Sequence, residues 1–249
     1  MPPPVLIVFL TDFGLSGPYL GQVQAVLARH APGVANINLF ADLPPFNARV
    51  AAYLLAAYSQ EFAAGTVFLC VVDPSVGSTR RPLAVQADDR WFVGPDNGML
   101  EIVARRAQQT QRWAITYSPS RLSASFHGRD LFAPVAAQLA RGLPVPGEPL
   151  PESGVFGEAW PDDLYEIVYI DHYGNSITGV RANVLEKSAR LLVKGQELAY
   201  ARTFSEAAAG EPFWYENANG LVEIALKEAS AACEMNLKVG VPIGLAQAD

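Results

Sequence analysis

Cysteine is scarce in this chain: there are two in 249 residues, Cys70 and Cys233, too few for a disulfide framework. A reduced, cytoplasmic setting is therefore expected. Histidine is nearly as scarce. There are three, no two of them at i, i+4, and the cysteines lie far apart, so a zinc site of ordinary spacing is not supported. Basic residues are in deficit, with 18 Lys and Arg against 25 Asp and Glu, a formal charge of −7. An acidic surface repels phosphate backbones and anionic lipid, which sets nucleic acid and membranes aside as partners. Long apolar runs are missing too. The longest, residues 50–58, falls far short of the ~18 residues of a membrane span. Met1-Pro2-Pro3-Pro4 has no basic leader, so no secretory signal is expected. What is present is apolar: half the chain is hydrophobic and 17% is charged, which excludes a disordered chain and supports a sizeable core.

The apolar segments follow an order. Residues 5–10 form a β-branched run that ends at Thr11-Asp12-Phe13-Gly14 and reads as a strand buried on both faces. Residues 19–29 have helical spacing, stopped by Pro32-Gly33. Residues 34–39 read as a strand and 47–62 as a helix capped by Asn47. Residues 66–72 form a third buried strand, ending at Asp73-Pro74. Residues 83–86 and 91–93 read as a strand pair joined through Asp88-Asp89; 98–106 and 130–141 read as helices. Alternating strands and helices predict an α/β domain over residues 1–143, with a central, mostly parallel sheet. Residues 142–163 hold five prolines and five acids, the composition of a linker, here assigned to 144–163. Short strand-like runs at 165–170, 189–193 and 221–225 predict a smaller, mostly antiparallel β domain over 164–249.

Ligands of open α/β sheets bind beyond the carboxyl ends of the strands. Asp12, Asp73 and Asp96 all fall at such ends. A lone acid in such a loop is usually a cap; several on one edge point to a site. An Asp-rich divalent site built from these three is the weaker alternative. Gly14, Gly17 and Gly21 fit neither the dinucleotide nor the P-loop pattern. The kinase-like Asp12-Phe13-Gly14 comes before, rather than after, the catalytic-loop-like stretch at 127–130. Pro74 and Gly77 force a tight turn that lets Asp73 and Arg80 face one pocket, or pair on the surface. His127 stands just before a helix start, a position open to a catalytic or a structural hydrogen bond.

Six stretches then fall together: LTDFG (10–14), VDPSVGSTRR (72–81), GPDNGML (94–100), FHGRDLFAPVAA (126–137), IDHYGNSITG (170–179) and NGLVEIA (219–225). In this order the chain resembles the S-adenosylmethionine (SAM) hydroxide adenosyltransferases, relatives of the fluorinases and chlorinases. The resemblance implies conversion of SAM and water to adenosine and L-methionine, with SAM as substrate and no cofactor or metal. It implies that Asp73, Arg80 and His127 hold the water, with either Asp73 or His127 taking its proton. It implies that Asp12 binds the ribose hydroxyls, with Phe46 beside the ribose and sulfonium. Asp171 would take the methionine amino group, Tyr173 and Phe204 would stack on adenine, Asn175 would bond its edge, and Asn219 would stand near the methionine carboxylate. A homotrimer with active sites at subunit interfaces is implied as well. Lys227 and Glu228 replace the small or amide residues expected near adenine. Halogenation of SAM is the second reading, disfavoured because a halide beside Asp73 is repelled. A non-catalytic SAM or adenosine binder is the third.

Overall fold

The computed structural model describes residues 6–151 and 160–246. The chain divides after residue 159 into two compact units. The first contains β1 (Leu6–Thr11), α1 (Tyr19–His30), β2 (Ala35–Phe40), α2 (Ala48–Tyr58), β3 (Val67–Val71), β4 (Pro82–Ala87), β5 (Arg90–Pro95), α3 (Glu101–Arg106), β6 (Thr110–Ile115), α4 (Ala133–Ala140) and β7 (Gly147–Leu150). They form a seven-stranded sheet in the order β2-β1-β3-β5-β4-β6-β7. The expected parallel sheet is its first half: β2, β1, β3 and β5 run parallel, and β4, β6 and β7 extend it antiparallel.

β1 and β3 are buried for a reason legible in their side chains. Ile7, Phe9, Val67, Leu69 and Val71 pack with α1 and α4 on one face. The alternate residues Val8, Leu10, Phe68 and Cys70 are equally buried and, by the two-residue period of a strand, face the other way. Asn47 caps α2 as expected, its side chain accepting from the Val50 N–H at 3.2 Å. Asp88 and Asp89 form the two-residue turn between β4 and β5, with φ of 44° and 58°, the left-handed pair that a primed hairpin turn requires.

In this unit two strands escaped the sequence pattern. β6 carries Gln111 and Arg112 in a run too polar to read as buried. β7 lies in the proline-rich segment read as a linker and pairs with β6 from Arg112 opposite Leu150 to Ile115 opposite Gly147. As the outermost strand it tolerates Pro149, whose missing N–H costs no ladder bond on an open edge. Residues 152–159 of that segment lie outside the described residues.

The second unit contains β8 (Leu164–Ile170), β9 (Ser176–Arg181), β10 (Leu191–Val193), β11 (Gln196–Tyr200), β12 (Phe213–Glu216), β13 (Leu221–Ala225), the short helix α5 (Ala231–Glu234) and β14 (Gly244–Leu245). Its sheet runs β14-β10-β11-β12-β13-β9-β8 and is antiparallel except between β11 and β12. Trp214 anchors its core: it is fully buried, and its indole N–H donates to the Ala189 carbonyl at 2.9 Å. Among the described residues no helix is long and apolar enough to cross a membrane.

Trp214→Ala removes a large buried ring and orphans the Ala189 carbonyl, so it should cost roughly 3–5 kcal/mol. Urea unfolding of the variant beside the parent chain measures it; a cost below about 1 kcal/mol would mean that Trp214 does not organise this core.

Candidate active site

The site in the first unit starts from strand register. Thr11 and Val71 are paired partners at the ends of β1 and β3. The chain therefore releases Asp12 and, two residues past Val71, Asp73 from adjacent points on one sheet edge. After Asp73 the chain doubles back through short turns, Val76 N–H to the Asp73 carbonyl at 3.3 Å and Ser78 N–H to the Ser75 carbonyl at 3.0 Å. Gly77 is required there: its φ is 83°, and a Cβ would stand 2.7 Å from the Ala124 carbonyl oxygen. The return brings Arg80 onto Asp73.

The contact is bidentate. Arg80 Nε donates to Asp73 Oδ1 at 2.6 Å, and Nη2 donates to Asp73 Oδ2. The same Nη2 lies 3.1 Å from His127 Nδ1. The Arg80 and Asp73 side chains are 7% and 5% exposed. Phe132 stacks under the guanidinium, its centroid 5.3 Å from Cζ, adding a cation–π contact. His127 stands at the mouth of a π-helical turn, Gly128–Phe132, that leads into α4. Gly128 leaves room for Phe13, whose ring would meet a Cβ at 2.8 Å.

Asp73 and His127 open onto a cavity of about 270 Å³ shared with Asp12, Phe46, Ser125 and the rings of Phe13, Tyr19 and Phe126. Phe13 and Phe126 meet edge to face at 5.7 Å, and Tyr19 and Phe126 at 5.3 Å. Asp12 Oδ2 accepts the Phe46 N–H at 3.0 Å and so holds Phe46 at a φ of 64°, rarely adopted by an aromatic residue. Arg80 does not line the cavity; it braces Asp73 and His127 from behind. A larger cleft, about 560 Å³ between α1 and the loop at 117–121, holds none of the residues singled out for substrate or water.

Electrostatics are set by burial. The Asp12 carboxyl is pushed up from the usual range, first by desolvation and further by the Asp73 charge, while the Phe46 N–H pulls the other way. His127 is pushed down, first by burial and then by the Arg80 guanidinium. A guanidinium only donates, so His127 Nδ1 is the acceptor and the ring proton sits on Nε2.

Asp96 does not join this group. It pairs with Arg81, Nη2 to Oδ2 at 3.0 Å, and Asn97 spends its amide on the Val72 carbonyl at 2.7 Å. The carboxylate triple needed for the divalent-metal alternative is therefore not assembled. Among the described residues there is no cluster of three or more His, Cys, Asp or Glu side chains fit to hold a metal. Asp130 is tied to Arg129 at 2.6 Å and receives the Ser123 N–H at 2.9 Å, which shapes the loop ahead of His127.

In the second unit the residues expected to touch substrate form their own group. Asp171 Oδ1 accepts the N–H groups of Tyr173 and Asn175 at 2.9 and 2.8 Å, closing the turn between β8 and β9. Gly174 is needed in that turn, at φ 84° and with the Ser230 hydroxyl 1.9 Å from where a Cβ would be. Tyr173 is thrust outward, 75% exposed. Phe204 packs on Phe213 and Tyr215, both centroids at 5.3 Å. The Asn219 N–H donates to Asn217 Oδ1 at 2.9 Å. Sequence reading passed over the aromatic lining Phe13, Tyr19 and Phe126. It also passed over Glu223, though an acid inside the apolar run Leu221-Val222-Glu223-Ile224-Ala225 is itself a signal.

Residues 7–147 match the SAM hydroxide adenosyltransferase N-terminal domain, and residues 165–244 match the C-terminal domain of the same family. A Thermus thermophilus protein named (R)-S-adenosyl-L-methionine hydrolase is 40% identical over 96% of this chain and 98% of its own. A crystal structure of an uncharacterized conserved protein from Thermotoga maritima superposes with a TM-score of 0.86, at 32% identity, covering 96% of this chain and all of that one. More distant is a fluorinase of Actinopolyspora mzabensis, 25% identical over 96% of both chains.

The depressed His127 pKa carries a sign. Above the ordinary value of ~6.5 the ring is neutral folded or unfolded and contributes nothing. Below it the unfolded chain takes a proton that the native ring resists, so stability falls as pH drops. Arg80→Gln removes one of the two causes, so the His127 ring should titrate at higher pH in that variant, as read from the ring-proton NMR shift. A titration unmoved or lowered would show that the guanidinium does not act on His127.

Proposed function

Because the chain belongs to the SAM hydroxide adenosyltransferase family, we propose that it hydrolyses S-adenosyl-L-methionine to adenosine and L-methionine by attack of water on C5′. The observation that carries this reading is the Asp73–Arg80–His127 chain of contacts facing the Asp12 cavity. The water oxygen forms a bond to C5′ while the C5′–S bond breaks, and its electron pair leaves with sulfur. A sulfonium cation and water become a neutral nucleoside, a zwitterionic amino acid and one proton. The leaving group is already activated by its charge, so the protein has to orient the oxygen, strip its water neighbours and dispose of the proton.

Positioning supplies much of that, up to ~7–11 kcal/mol when the attack is in line. A free carboxylate of pKa ~3.9 does not deprotonate bulk water at ~15.7, so proton loss accompanies bond formation. On this reading the roles divide according to the tautomer. His127 Nδ1 is taken by Arg80, and Nε2–H is a donor that orients the water oxygen. Asp73, acceptor-only and open to the cavity, takes the proton. Asp12 holds the ribose hydroxyls, with Phe46 alongside. In the second unit, Asp171 receives the methionine ammonium, Tyr173 and Phe204 flank adenine, Asn175 bonds its edge and Asn219 stands by the carboxylate. The same reading has the protein act without cofactor or metal, as a cytoplasmic homotrimer whose sites are completed across subunits.

Incubation with SAM should release adenosine and methionine in equal amounts, with one proton per turnover in an unbuffered assay and solvent ¹⁸O at the 5′ oxygen. Chelator should leave the rate alone, and chloride or fluoride should yield no 5′-halonucleoside. Asp73→Asn should lower kcat by ~10²–10⁴-fold, the range for loss of a general base. Normal turnover by that variant would remove Asp73 from the mechanism, and light scattering at other than three chain masses would remove the trimer.

A further inference from the structure

We propose that the cleft between α1 and the loop at 117–121 of the first unit, separate from the catalytic cavity, is a binding site for an organic phosphate monoester. The site is independent of the hydrolase reading.

The cleft holds about 560 Å³, within the ~300–1,000 Å³ range of small-molecule sites. Gln22, Val26 and Arg29 recur on α1 at four- and three-residue spacing, so one face of that helix lines it. Beyond β6 the chain adds Tyr117, Pro119 and Arg121, and the start of α4 adds Pro134. Acids outnumber bases in the whole chain, 25 to 18. Here the balance is inverted: three arginines line the cleft, and Asp130 is its one acid.

These charges do not cancel within the protein. Arg129 is already spent: it forks onto Asp130 at 2.6 and 2.8 Å and donates to Gln22 Oε1 at 2.7 Å. That fork holds the Asp130 carboxyl below its usual range, and Arg121 adds a smaller pull. Arg29 and Arg121 are left over. Both are exposed, and among the described residues neither guanidinium makes a hydrogen bond or an ion pair. Two uncommitted positive charges match the roughly −1.5 to −2 of a phosphate monoester at neutral pH. Guanidinium forks also fit phosphate oxygens in geometry. The carbonyl end of α1 would oppose an anion, but Arg141 covers the His30 carbonyl there with a hydrogen bond at 3.3 Å. Val26, Tyr117, Pro119 and Pro134 supply apolar wall for an organic group, which bare phosphate lacks.

Phenyl phosphate is the probe, because it carries the dianion and a ring but no nucleoside to enter the catalytic cavity. Titration calorimetry with the full-length protein at low salt should show saturable binding, one per chain and tighter than that of inorganic phosphate or phenol. Arg29→Gln and Arg121→Gln should each weaken it at least about tenfold, the worth of a hydrogen bond to a charged group. Both side chains are exposed, so neither substitution threatens the fold. No saturable binding, equally tight binding of inorganic phosphate, or an affinity unchanged in either variant overturns the proposal. Phenyl phosphate bound as expected by a chain that leaves SAM intact would sink the hydrolase reading and keep this one.

Discussion

A buried carboxylate and a buried guanidinium, Asp73 and Arg80, are gripped face to face at the end of a parallel strand, and the rest of the site takes its form from them. Removing two charges from water is costly, and attraction alone often fails to recover the cost. Here several features offset it. The fork is bidentate, an aromatic ring lies under the cation, and the second hydrogen of Nη2 is spent on His127. A lysine could not do this, since a single ammonium cannot hold a carboxylate in a planar fork and reach an imidazole in a fixed direction. The pair thereby fixes which nitrogen of His127 carries the proton.

The local charge has its origin in the same arrangement. Asp12 and Asp73 contribute two negative charges at neutral pH and Arg80 one positive, while the ring of His127 is held neutral by burial and by the guanidinium. The cavity is therefore net negative, suited to a sulfonium cation and indifferent to the neutral thioether and nucleoside it would become. Burial is the main reason the Asp12 carboxyl is pushed up, and repulsion from Asp73 adds a smaller push in the same direction. The overall acidity of the chain has the same sign but does not cause the local field, which comes from these few groups.

How much of this was legible in the sequence differs by residue. Asp12 and Asp73 were legible because buried parallel strands have near-continuous apolar runs, and the residues just past the end of such a run lie on the ligand edge. Asp96 satisfied the same rule and fails it in space. It ends β5, two strands away from β1, and Arg81 is close enough to claim it. The tight turn at Pro74 and Gly77 made Arg80 a candidate partner of Asp73, but the meeting of Arg80 with His127, 47 residues away, was legible only through the family resemblance. β7 was hidden because proline and acid signify a linker almost everywhere except on an open sheet edge. The antiparallel half of the first sheet was hidden in part because Thr110–Ile115 lacks a hydrophobic alternation to mark it.

Asp12 shows why the site resists division into scaffold and chemistry. One of its oxygens restrains Phe46 in a left-handed conformation that costs an aromatic residue on the order of 1–3 kcal/mol. That strain persists only while the carboxylate holds the amide, so the group proposed to receive the ribose also keeps an exposed aromatic ring over the cavity. Glu223 repeats the logic in the second unit, where a buried acid gathers the Tyr215 hydroxyl and the Asn217 amide. In both units a carboxylate out of water is tolerated because it orders neighbouring donors, and that order is what a substrate with a fixed pattern of charge, hydroxyls and ring edge can recognise. Recognition of this kind depends on the acceptor-only character of a carboxylate, which an amide of the same size lacks.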